Sequence, residues 1–431
     1  MKIDLVLDRI NRLLETLDNP QHQLAPAIHI AGTNGKGSVT VFLRTFFTEA
    51  GYRVNAYTSP HLIDFHERIW LNGRKGETGA PIADDTLEKV LVECEIANGS
   101  RPITFFEITT AAAILAFSRN KADVSLFEVG LGGRYDATNI ISNKALTIIT
   151  PIDYDHQDFL GTSLRSIAAE KAGILEPSVP AVIGKQHAEV LNVIKHRAAE
   201  IGAPLIMQDR EFVAYEEHGR LAFQDEAGLL DLPLPRLVGR HQIDNAAVAI
   251  AAVRALDRFT VPAKALASGL QKTHWPGRLQ QLRLDAILDI PWREEPPEIW
   301  LDGGHNPAAG RALAQAMAEL EERVSRPLYL VVAMMGNKDA EQFLASFQTL
   351  ARNIITLPLL DQANGMSPND LRAAASKAGL PNEKAEDLSS AFKSILRSAE
   401  SNKSEEKSPR ILICGSLYLA GHVLAFHRAN G

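Results

Sequence analysis

Short apolar runs alternate with longer stretches of helical period, and this alternation limits the fold more than any other feature of the chain. Apolar runs at 27–31, 124–129 and 145–149 are strand candidates, and residues 39–50 and 108–117 are helix candidates between them. Strands that alternate with helices are typical of a parallel sheet covered by helices. The fold class is therefore predicted to be α/β.

The alternation begins again near Ile299. IWLD, LYLVVA, NIITLPL and RILIC are predicted strands, with helices beginning near Pro307, Asp339 and Ser367, and these four units predict a second, smaller sheet. Residues 289–298, DIPWREEPPE, contain three prolines and four acids, which suit neither a helix nor a central strand. We predict a first domain over 1–274, a linker over 275–298 and a C-terminal α/β domain over 299–431, with the polar segment 400–409 as an exposed loop.

A glycine-rich loop joins the first strand to the first helix: Gly32, Thr33, Asn34, Gly35, Lys36, Gly37 and Ser38. Glycines let successive N–H groups face phosphate oxygens, and the helix N-terminus adds partial positive charge. Lys36 can bind the β- and γ-phosphates and Ser38 can face Mg²⁺. The strict P-loop pattern is departed from twice, since Ile30 replaces its first glycine and Gly37 separates Lys36 from Ser38. The loop predicts nucleotide binding, with a structural turn as the alternative.

Composition narrows the functional class. The 431 residues are 45% hydrophobic, which permits two domains with large cores. Lys and Arg number 45 against 52 Asp and Glu, a net charge of −7 that disfavours nucleic-acid and anionic-membrane partners but leaves small anions open. Two cysteines, Cys94 and Cys414, cannot build a disulfide framework or a Cys-ligated zinc site. A cytoplasmic protein is expected.

The first residues and the longest apolar runs agree with that expectation. Asp4, Asp8 and Glu15 interrupt the apolar residues at the start, where a signal peptide needs an unbroken apolar core. Runs such as 108–117 fall well short of the roughly 20 residues that span a bilayer. We expect no membrane partner.

Polar residues follow several predicted strands, at the edge where open parallel sheets bind ligands. Glu128 ends an apolar strand, and its carboxylate suits Mg²⁺; a capping or salt-bridging acid is the alternative. His156 follows ALTIIT, where a surface histidine is the simpler interpretation because Mg²⁺ prefers oxygen. Asp302 and His305 follow the first strand of the second series, where a tight turn into a helix with Pro307 at its first position is equally compatible.

GTNGKGS resembles the nucleotide loop of the Mur ligase superfamily, and in particular of the folylpolyglutamate synthase/dihydrofolate synthase family. Further strings that resemble this family follow in order along most of the chain: TSPHL at 58–62, ERI at 67–69, TFFE at 104–107, EVGLGGRYDATN at 128–139, DH at 155–156, EKAGI at 170–174, HQ at 241–242 with Asn245, PGR at 276–278 and DGGHNP at 302–307. Two residues depart from the pattern, Tyr135 in place of the frequent Leu and Gly304 in place of the usual Ala.

The resemblance implies a Mur-ligase-like P-loop ATPase domain and a smaller C-terminal domain on the glutamate side of a cleft that holds ATP. It implies a monomeric, bifunctional bacterial ligase that joins L-glutamate to dihydropteroate and to tetrahydrofolate polyglutamates through an acyl phosphate. Tyr135 borders the implied pterin site, so the finer substrate preference stays open. The alternatives are a member with one of these activities, a Mur-type ligase acting on a UDP-linked sugar acid, and a nucleotide-binding regulator without ligase activity.

Site residues are implied in the same way. Lys36, Lys171, Arg278 and His305 would be catalytic. The nucleotide would contact the loop residues 32–38, Asn245 through adenine, Asp302 through ribose, and both Arg278 and His305 through phosphate. A simple exposed helix residue is the alternative for Asn245. Thr104, Phe106 and Asp136 would bind the pterin, since a carboxylate accepts N–H bonds and an aromatic ring stacks; core packing is the alternative for Phe106.

The metal and the modified residue also come from the resemblance. Ser38, Ser59, Glu128 and His156 would bind two Mg²⁺ ions, and a monovalent cation is a further expected cofactor. Lys171 would be carbamylated to N6-carboxylysine, which turns a cation into an anion beside the metal. By its sequence alone, Lys171 is a solvated lysine on a helix.

Overall fold

The computed structural model describes residues 6–73, 78–283, 296–401 and 407–430, and the chain divides into two compact units. Unit 1 comprises Met1–Arg236 and His241–His274, and unit 2 comprises Leu237–Arg240 and Trp275–Gly431. Both contain a mainly parallel sheet and helices, so the predicted α/β class is confirmed. The predicted domain limits stay predictions, because residues 284–295 of the predicted linker lie outside the described residues.

Unit 1 is built on a sheet whose strands lie in the order β4-β3-β2-β5-β1-β6-β7-β8. Strands β2, β5, β1, β6, β7 and β8 are neighbours in this order and pair in parallel. β3 and β4 pair antiparallel at the edge next to β2. Their bounds are β1 Ala27–Ala31, β2 Val54–Tyr57, β3 Ile69–Leu71, β4 Ala80–Pro81, β5 Val124–Glu128, β6 Lys144–Ile149, β7 Ala181–Ile183 and β8 Leu205–Met207. β1, β5 and β6 agree with the sequence predictions to within one residue.

Helices cover this sheet. They are α1 Asp8–Thr16, α2 Lys36–Glu49, α3 Asp84–Asn98, α4 Phe105–Arg119, α5 Gln157–Leu160, α6 Leu164–Lys171, α7 Ala188–Ile201, α8 Arg240–Arg254 and α9 Ala263–Lys272. Residues of α1, α3 and α4 pack with Tyr57 and Phe127 of the sheet in one buried cluster. Burying each large apolar side chain stabilises the fold by about 1.5–3 kcal/mol. This packing fixes α1, α3 and α4 against the sheet.

A three-stranded antiparallel sheet in unit 1 was not predicted. It consists of β9 Phe212–Glu217, β10 Arg220–Asp225 and β11 Gly228–Pro233. His218 and Gly219, with φ of 50° and 73°, form the two-residue turn between β9 and β10. Two residues with positive φ are typical of such a hairpin turn, and Gly219 was the available sequence signal.

Unit 2 has its own sheet, in the order β12-β13-β17-β14-β15-β16. The strands are β12 Gln280–Leu282, β13 Glu298–Leu301, β14 Leu328–Val332, β15 Ala351–Thr356, β16 Asn382–Lys384 and β17 Arg410–Cys414, and only β12 pairs antiparallel within this described sheet. The four predicted strands are present, but the prediction of four units was incomplete. β12 and β16 have three residues each and no apolar run, and β12 falls within the range predicted as linker.

The helices of unit 2 are α10 Pro307–Arg323, α11 Ala340–Ala345, α12 Pro368–Lys377, α13 Leu388–Ser401 and α14 Leu417–Asn430. The side chains of Asn306, Asp339 and Ser367 cap α10, α11 and α12, at the predicted starts. α13 extends into the segment predicted as a loop, of which 402–406 lie outside the described residues. Across the described ranges, the helices lack the combination of length and hydropathy that spanning a bilayer demands.

Candidate active site

The glycine-rich loop lies at the carboxyl end of β1, between β5 and β6. β1 ends at Ala31 and α2 begins at Lys36, so the loop turns the chain directly from strand into helix. The N–H groups of Thr33 and Asn34 donate to the Pro151 carbonyl at 3.0 and 3.2 Å. The Thr33 hydroxyl donates to the carbonyl of Asp153 at 2.9 Å. The loop is therefore fixed to the segment after β6, while the first turn of α2 has N–H groups without intrahelical partners, which suit an anion.

Two glycines of the loop are required by its geometry. Gly32 has φ of +150°, and a Cβ there would collide with the Thr150 hydroxyl. Gly35 has φ of +90°, and a Cβ there would collide with the side-chain oxygen of Asn245. The left-handed backbone and the close approach both exclude other residues at Gly35.

Asn245 is buried on α8 against the glycine-rich loop. Its amide nitrogen donates to Gln242 Oε1 at 3.1 Å. The interpretation of Asn245 as an exposed helix residue is therefore wrong. Its contact with adenine stays a prediction.

Two lysine amines converge on one carbonyl of the loop. Lys36 Nζ donates to the carbonyls of Gly32 and Thr33 at 3.0 and 3.1 Å, and Lys171 Nζ donates to the Gly32 carbonyl at 2.8 Å. Lys171 is only 5% exposed, at the end of α6, so its interpretation as a solvated lysine is wrong. Burial, together with the charge of Lys36, lowers the pKa of Lys171 to about 7.

The metal-binding candidates lie on several elements of unit 1. Glu128 is buried at the end of β5, paired in register with Ile30 of β1, and its Oε2 accepts a hydrogen bond from Ser59 N at 3.3 Å. Ser38 is buried in the first turn of α2. His156 precedes α5 with φ of 50°, and its side chain is 39% exposed. The structure thus brings Ser59 and Glu128 together beside the loop strand.

The donor chemistry of these residues fits a hard cation. Glu128 supplies carboxylate oxygen and Ser38 supplies a hydroxyl, the ligand type that Mg²⁺ prefers. No group of three or more His, Cys, Asp or Glu side chains arranged for a metal occurs in the described ranges. A metal at Glu128 would therefore take its remaining ligands from hydroxyls, water or a bound phosphate, which is usual for Mg²⁺. The role of His156 stays a prediction.

The glycine-rich segment after β5 is called the substrate loop here, residues 130–136. Asp136 is 2% exposed; its Oδ2 accepts from Leu131 N at 2.8 Å, and its Oδ1 accepts from Thr138 N at 3.0 Å and from the Thr138 hydroxyl. Burial raises the pKa of Asp136, and these hydrogen bonds act in the opposite direction. Asp136 therefore shapes the loop, a role that the sequence did not indicate. Its direct contact with a pterin stays a prediction.

The other two pterin candidates border the substrate loop or begin α4. The Phe106 ring packs so closely on Gly130 that a Cβ at that glycine would collide with it. Thr104 caps α4: its Oγ1 accepts from Glu107 N at 3.2 Å, and its N–H donates to Glu107 Oε2 at 2.7 Å. Arg9 of α1 donates to both carboxylate oxygens of Glu107. Arg9 lies 98 residues from Glu107, so no local pattern could have revealed this support.

Unit 2 contributes its own group at the carboxyl end of β13. Asp302 is buried; its Oδ2 accepts from Leu279 N at 2.8 Å and its Oδ1 from Gly304 N at 2.6 Å. The guanidinium of Arg278 lies beside Gly303. His305 Nδ1 lies 2.9 Å from the carbonyl of Gly303. The structure therefore places Arg278 beside the turn that contains Asp302 and His305, although the tight-turn alternative describes the same geometry.

Comparison with known proteins identifies the class. Residues 30–253 match the family model of the Mur ligase middle domain, and residues 290–417 match that of the Mur ligase glutamate ligase domain. The phosphate loop before α2 and the second α/β unit agree with this class, so the chain is a Mur-type ATP-dependent ligase, as predicted.

Relatives and solved structures define the family within that class. Dihydrofolate synthetase of Saccharomyces cerevisiae is 33% identical over 447 residues, which covers 100% of this chain and 99% of its own. The dihydrofolate synthase/folylpolyglutamate synthase of Bacillus subtilis is 34% identical over 365 residues, 81% of this chain and 80% of its own. The chain belongs to the folylpolyglutamate synthase/dihydrofolate synthase family, which confirms the resemblance found in the sequence.

Two solved structures show what such relatives bind. Escherichia coli FolC in complex with DHPP and ADP has a TM-score of 0.83 and 30% identity, covering 100% of this chain and 94% of that chain. A bifunctional folylpolyglutamate synthase/dihydrofolate synthase with Mn, AMPPNP and L-glutamate bound has a TM-score of 0.81 and 29% identity. The match covers 98% of this chain and 94% of that chain. Adenine nucleotide and a divalent metal are thus bound in homologous structures.

Proposed function

We propose that this chain joins L-glutamate to dihydropteroate and to tetrahydrofolate polyglutamates, with ATP as the activating substrate. The observation that carries the proposal is the phosphate loop with Lys36 in a chain several of whose relatives are named for both activities, while the yeast relative is named for the first alone. Those names favour a pterin-bearing acid over a UDP-linked sugar acid. One activity alone is the alternative that product analysis decides.

The reaction requires activation because hydroxide is a poor leaving group from a carboxylate. The substrate carboxylate attacks the γ-phosphorus of ATP, ADP leaves, and an acyl phosphate forms. The glutamate amine then attacks the acyl carbon, and phosphate leaves from the tetrahedral intermediate with the carboxylate oxygen that made the bond. No enzyme nucleophile is needed.

The protein's part is positioning and neutralisation of charge. Lys36 is tethered to the loop carbonyls and would move onto the β- and γ-phosphates when nucleotide replaces those contacts. Arg278 and His305 are the cations proposed for the transferring phosphoryl group, and Asp302 and Asn245 the groups proposed for ribose and adenine. Ser38, Ser59, Glu128 and His156 would hold Mg²⁺, two ions in this proposal, which lowers the charge on the phosphates when bound. A monovalent cation is part of the same proposal.

Carbamylation of Lys171 is the proposed modification. Carbon dioxide reacts with a neutral amine, and a lysine whose pKa is lowered to about 7 is neutral to a large extent at ordinary cellular pH. The product is an anion buried beside the Lys36 ammonium. The ion pair that this anion forms with Lys36 supports the modification.

Location and assembly complete the proposal. Cys94 and Cys414 are buried free thiols, which supports a reducing compartment and hence the cytoplasm. A monomer is proposed, with ATP, folates and glutamate as its small-molecule partners.

Phosphate release tests the function. The purified protein is assayed with ATP, Mg²⁺ and L-glutamate, with and without dihydropteroate or tetrahydrofolate, and the products are separated by glutamate chain length. We expect release to depend on the pterin acid and on glutamate together, and both acids to be extended. The proposal would be refuted if neither pterin acid stimulated phosphate release, or if only a UDP-linked sugar acid did.

A further inference from the structure

His29 is a polar side chain in the middle of the apolar strand β1. Its neighbours Ile28 and Ile30 are fully buried, and His29 itself is 0% exposed. Burying an imidazole costs free energy unless it forms hydrogen bonds. Its Nε2 lies 2.8 Å from Thr138 Oγ1, whereas its Nδ1 has no hydrogen-bond partner among the described residues. The residue is therefore held in the core by a single polar contact.

The direction of that hydrogen bond follows from Thr138. Its hydroxyl has one proton, which it donates to Asp136 Oδ1. The oxygen can then only accept from His29, so the His29 proton is on Nε2 and its bare nitrogen is Nδ1. The opposite tautomer would bury an N–H without an acceptor, which is the costlier defect. Burial, with a contribution from Lys144, lowers the pKa of His29 well below its ordinary value, so the ring is neutral.

These donor directions form a chain of hydrogen bonds in which His29 donates to Thr138 and Thr138 donates to Asp136. Each oxygen of the carboxylate also accepts a backbone N–H, from Thr138 and from Leu131, which fits an ionised group. The chain begins three residues before Gly32, on the strand that leads into the phosphate loop. It ends on the carboxylate that shapes the substrate loop, on which the Phe106 ring packs.

We infer that His29 is a positioning residue for the pterin side of the site: through Thr138 it fixes the Asp136 carboxylate, and thereby the substrate loop, in the conformation that receives the pterin. The inference rests on the proposed function, because it assumes that the pterin binds at this loop. His29 itself contacts no substrate, and its effect is on binding of the pterin acid rather than of ATP.

Two matched pairs of variants test the hydrogen-bond chain from His29 to Asp136. His29→Met removes the donor, whereas His29→Gln keeps an N–H near the position of Nε2. Thr138→Val removes the hydroxyl at nearly constant volume, whereas Thr138→Ser keeps it. For each variant, kcat and the KM values for dihydropteroate, ATP and glutamate are measured, together with calorimetric binding of dihydropteroate and ADP and the melting temperature.

We expect Thr138→Val to raise the KM and Kd for dihydropteroate about tenfold, as loss of a hydrogen bond to a charged group predicts. His29→Met should raise them about fivefold, because it removes a neutral hydrogen bond one step from the carboxylate. The KM for ATP and the Kd for ADP stay within about twofold of wild type, and the Gln and Ser variants stay near wild type. The double variant resembles Thr138→Val alone, because that substitution already removes both hydrogen bonds. If His29→Met does not fold, Thr138→Val reports on the same contact.

Other results overturn the inference. Unchanged dihydropteroate binding in folded His29→Met and Thr138→Val would exclude a positioning role. The hydrogen-bond chain would be a stability element only if affinity for dihydropteroate, ATP and ADP fell in parallel. That loss would be shared by the Gln and Ser variants and accompanied by a lower melting temperature. Failure of the proposed function is seen separately, because wild type itself would then neither bind nor turn over dihydropteroate.

Discussion

The amine of Lys171 is buried and donates to the Gly32 carbonyl, which also accepts a hydrogen bond from Lys36. Two ammonium groups on one carbonyl repel each other, and desolvation adds to this cost. Neutralising Lys171 or converting it to a carbamate removes the repulsion. Loss of the positive charge on Lys171, by deprotonation or by carbamate formation, therefore stabilises the phosphate loop.

Lys171→Ala is expected to lose most ligase activity while folding normally, because the variant cannot form the carbamate beside the metal site. In wild type depleted of carbon dioxide, reactivation at one fixed concentration of dissolved carbon dioxide should be faster at about pH 8 than at about pH 6, since the neutral amine increases as pH rises through the folded pKa of about 7. Steady-state turnover after each treatment measures this.

Lys272→Ala is the matched control, because Lys272 is an exposed lysine paired with Glu49. It should respond to carbon dioxide as wild type does. Full turnover by Lys171→Ala would remove Lys171 from the mechanism. Reactivation that slows as pH rises, at constant dissolved carbon dioxide, would contradict the neutral-amine account.

Residue identity alone did not reveal these surroundings. Lys171 on a helical pattern is indistinguishable from a solvated lysine, and only the EKAGI string singled it out. His29 was the more visible case, since a histidine inside the run AIHIA must be buried if the strand is central. Its partner Thr138 lies 109 residues away, so the contact itself could not be predicted.

At the scale of elements, the turn from β1 into α2 depends on Gly35. Gly35→Ala is expected to weaken ADP binding strongly, because the new Cβ would displace Asn245 or the loop. Gly51→Ala, after α2, is a close control: its φ of +89° nearly equals the +90° of Gly35, but a Cβ there meets nothing within 4 Å. Both variants bear the same backbone strain of about 1 kcal/mol.

Calorimetric ADP binding and chemical unfolding separate the two effects. Both variants should lose similar stability from strain, whereas only Gly35→Ala should lose nucleotide affinity. Equal ADP affinity in the two variants would contradict the assignment of the loop as the nucleotide site.

In unit 2, Arg410 at the start of β17 connects β13 with α10. It is 2% exposed, donates to Glu298 at 2.9 Å and lies 3.5 Å from Glu321. Arg410→Met should lower the free energy of unfolding by about 3 kcal/mol, because it leaves the Glu298 carboxylate largely buried without this partner. Arg220→Met, which breaks the surface pair with Asp231, should cost under about 1 kcal/mol.

Urea unfolding at constant pH measures both changes. A cost for Arg410→Met no larger than that for Arg220→Met would show that burial does not govern the Arg410 contacts.

Elements with apolar runs were predictable, whereas elements held mainly by their neighbours were not. β1 and β17 are mostly apolar and were found from sequence. β12 and β16, with the sequences QQL and NEK, become strands because the edges of β13 and β15 offer hydrogen bonds. Such strands have no signal of their own, which explains why the second sheet was predicted too small.

At the scale of the whole molecule, the candidate site residues fall in both units. The phosphate loop, the substrate loop, Lys171 and the metal candidates belong to unit 1, and Arg278, Asp302 and His305 belong to unit 2. Most of these residues stood out in the sequence because they lie where a predicted strand ends in a polar loop, and their roles stay predictions. The supporting contacts of Arg9, His29 and Asp153 were not predicted, because they join segments that only the fold brings together.

The central claim is that the chain forms a glutamate amide through an acyl phosphate, and transfer of an isotope label tests it most directly. Dihydropteroate labelled with oxygen-18 in its carboxylate is incubated with the protein, ATP, Mg²⁺ and L-glutamate, and mass spectrometry follows both the pterin product and the released phosphate. We predict one added glutamate and one labelled oxygen in phosphate for each product molecule. Absence of the glutamate adduct, or an adduct formed with unlabelled phosphate, would contradict the account.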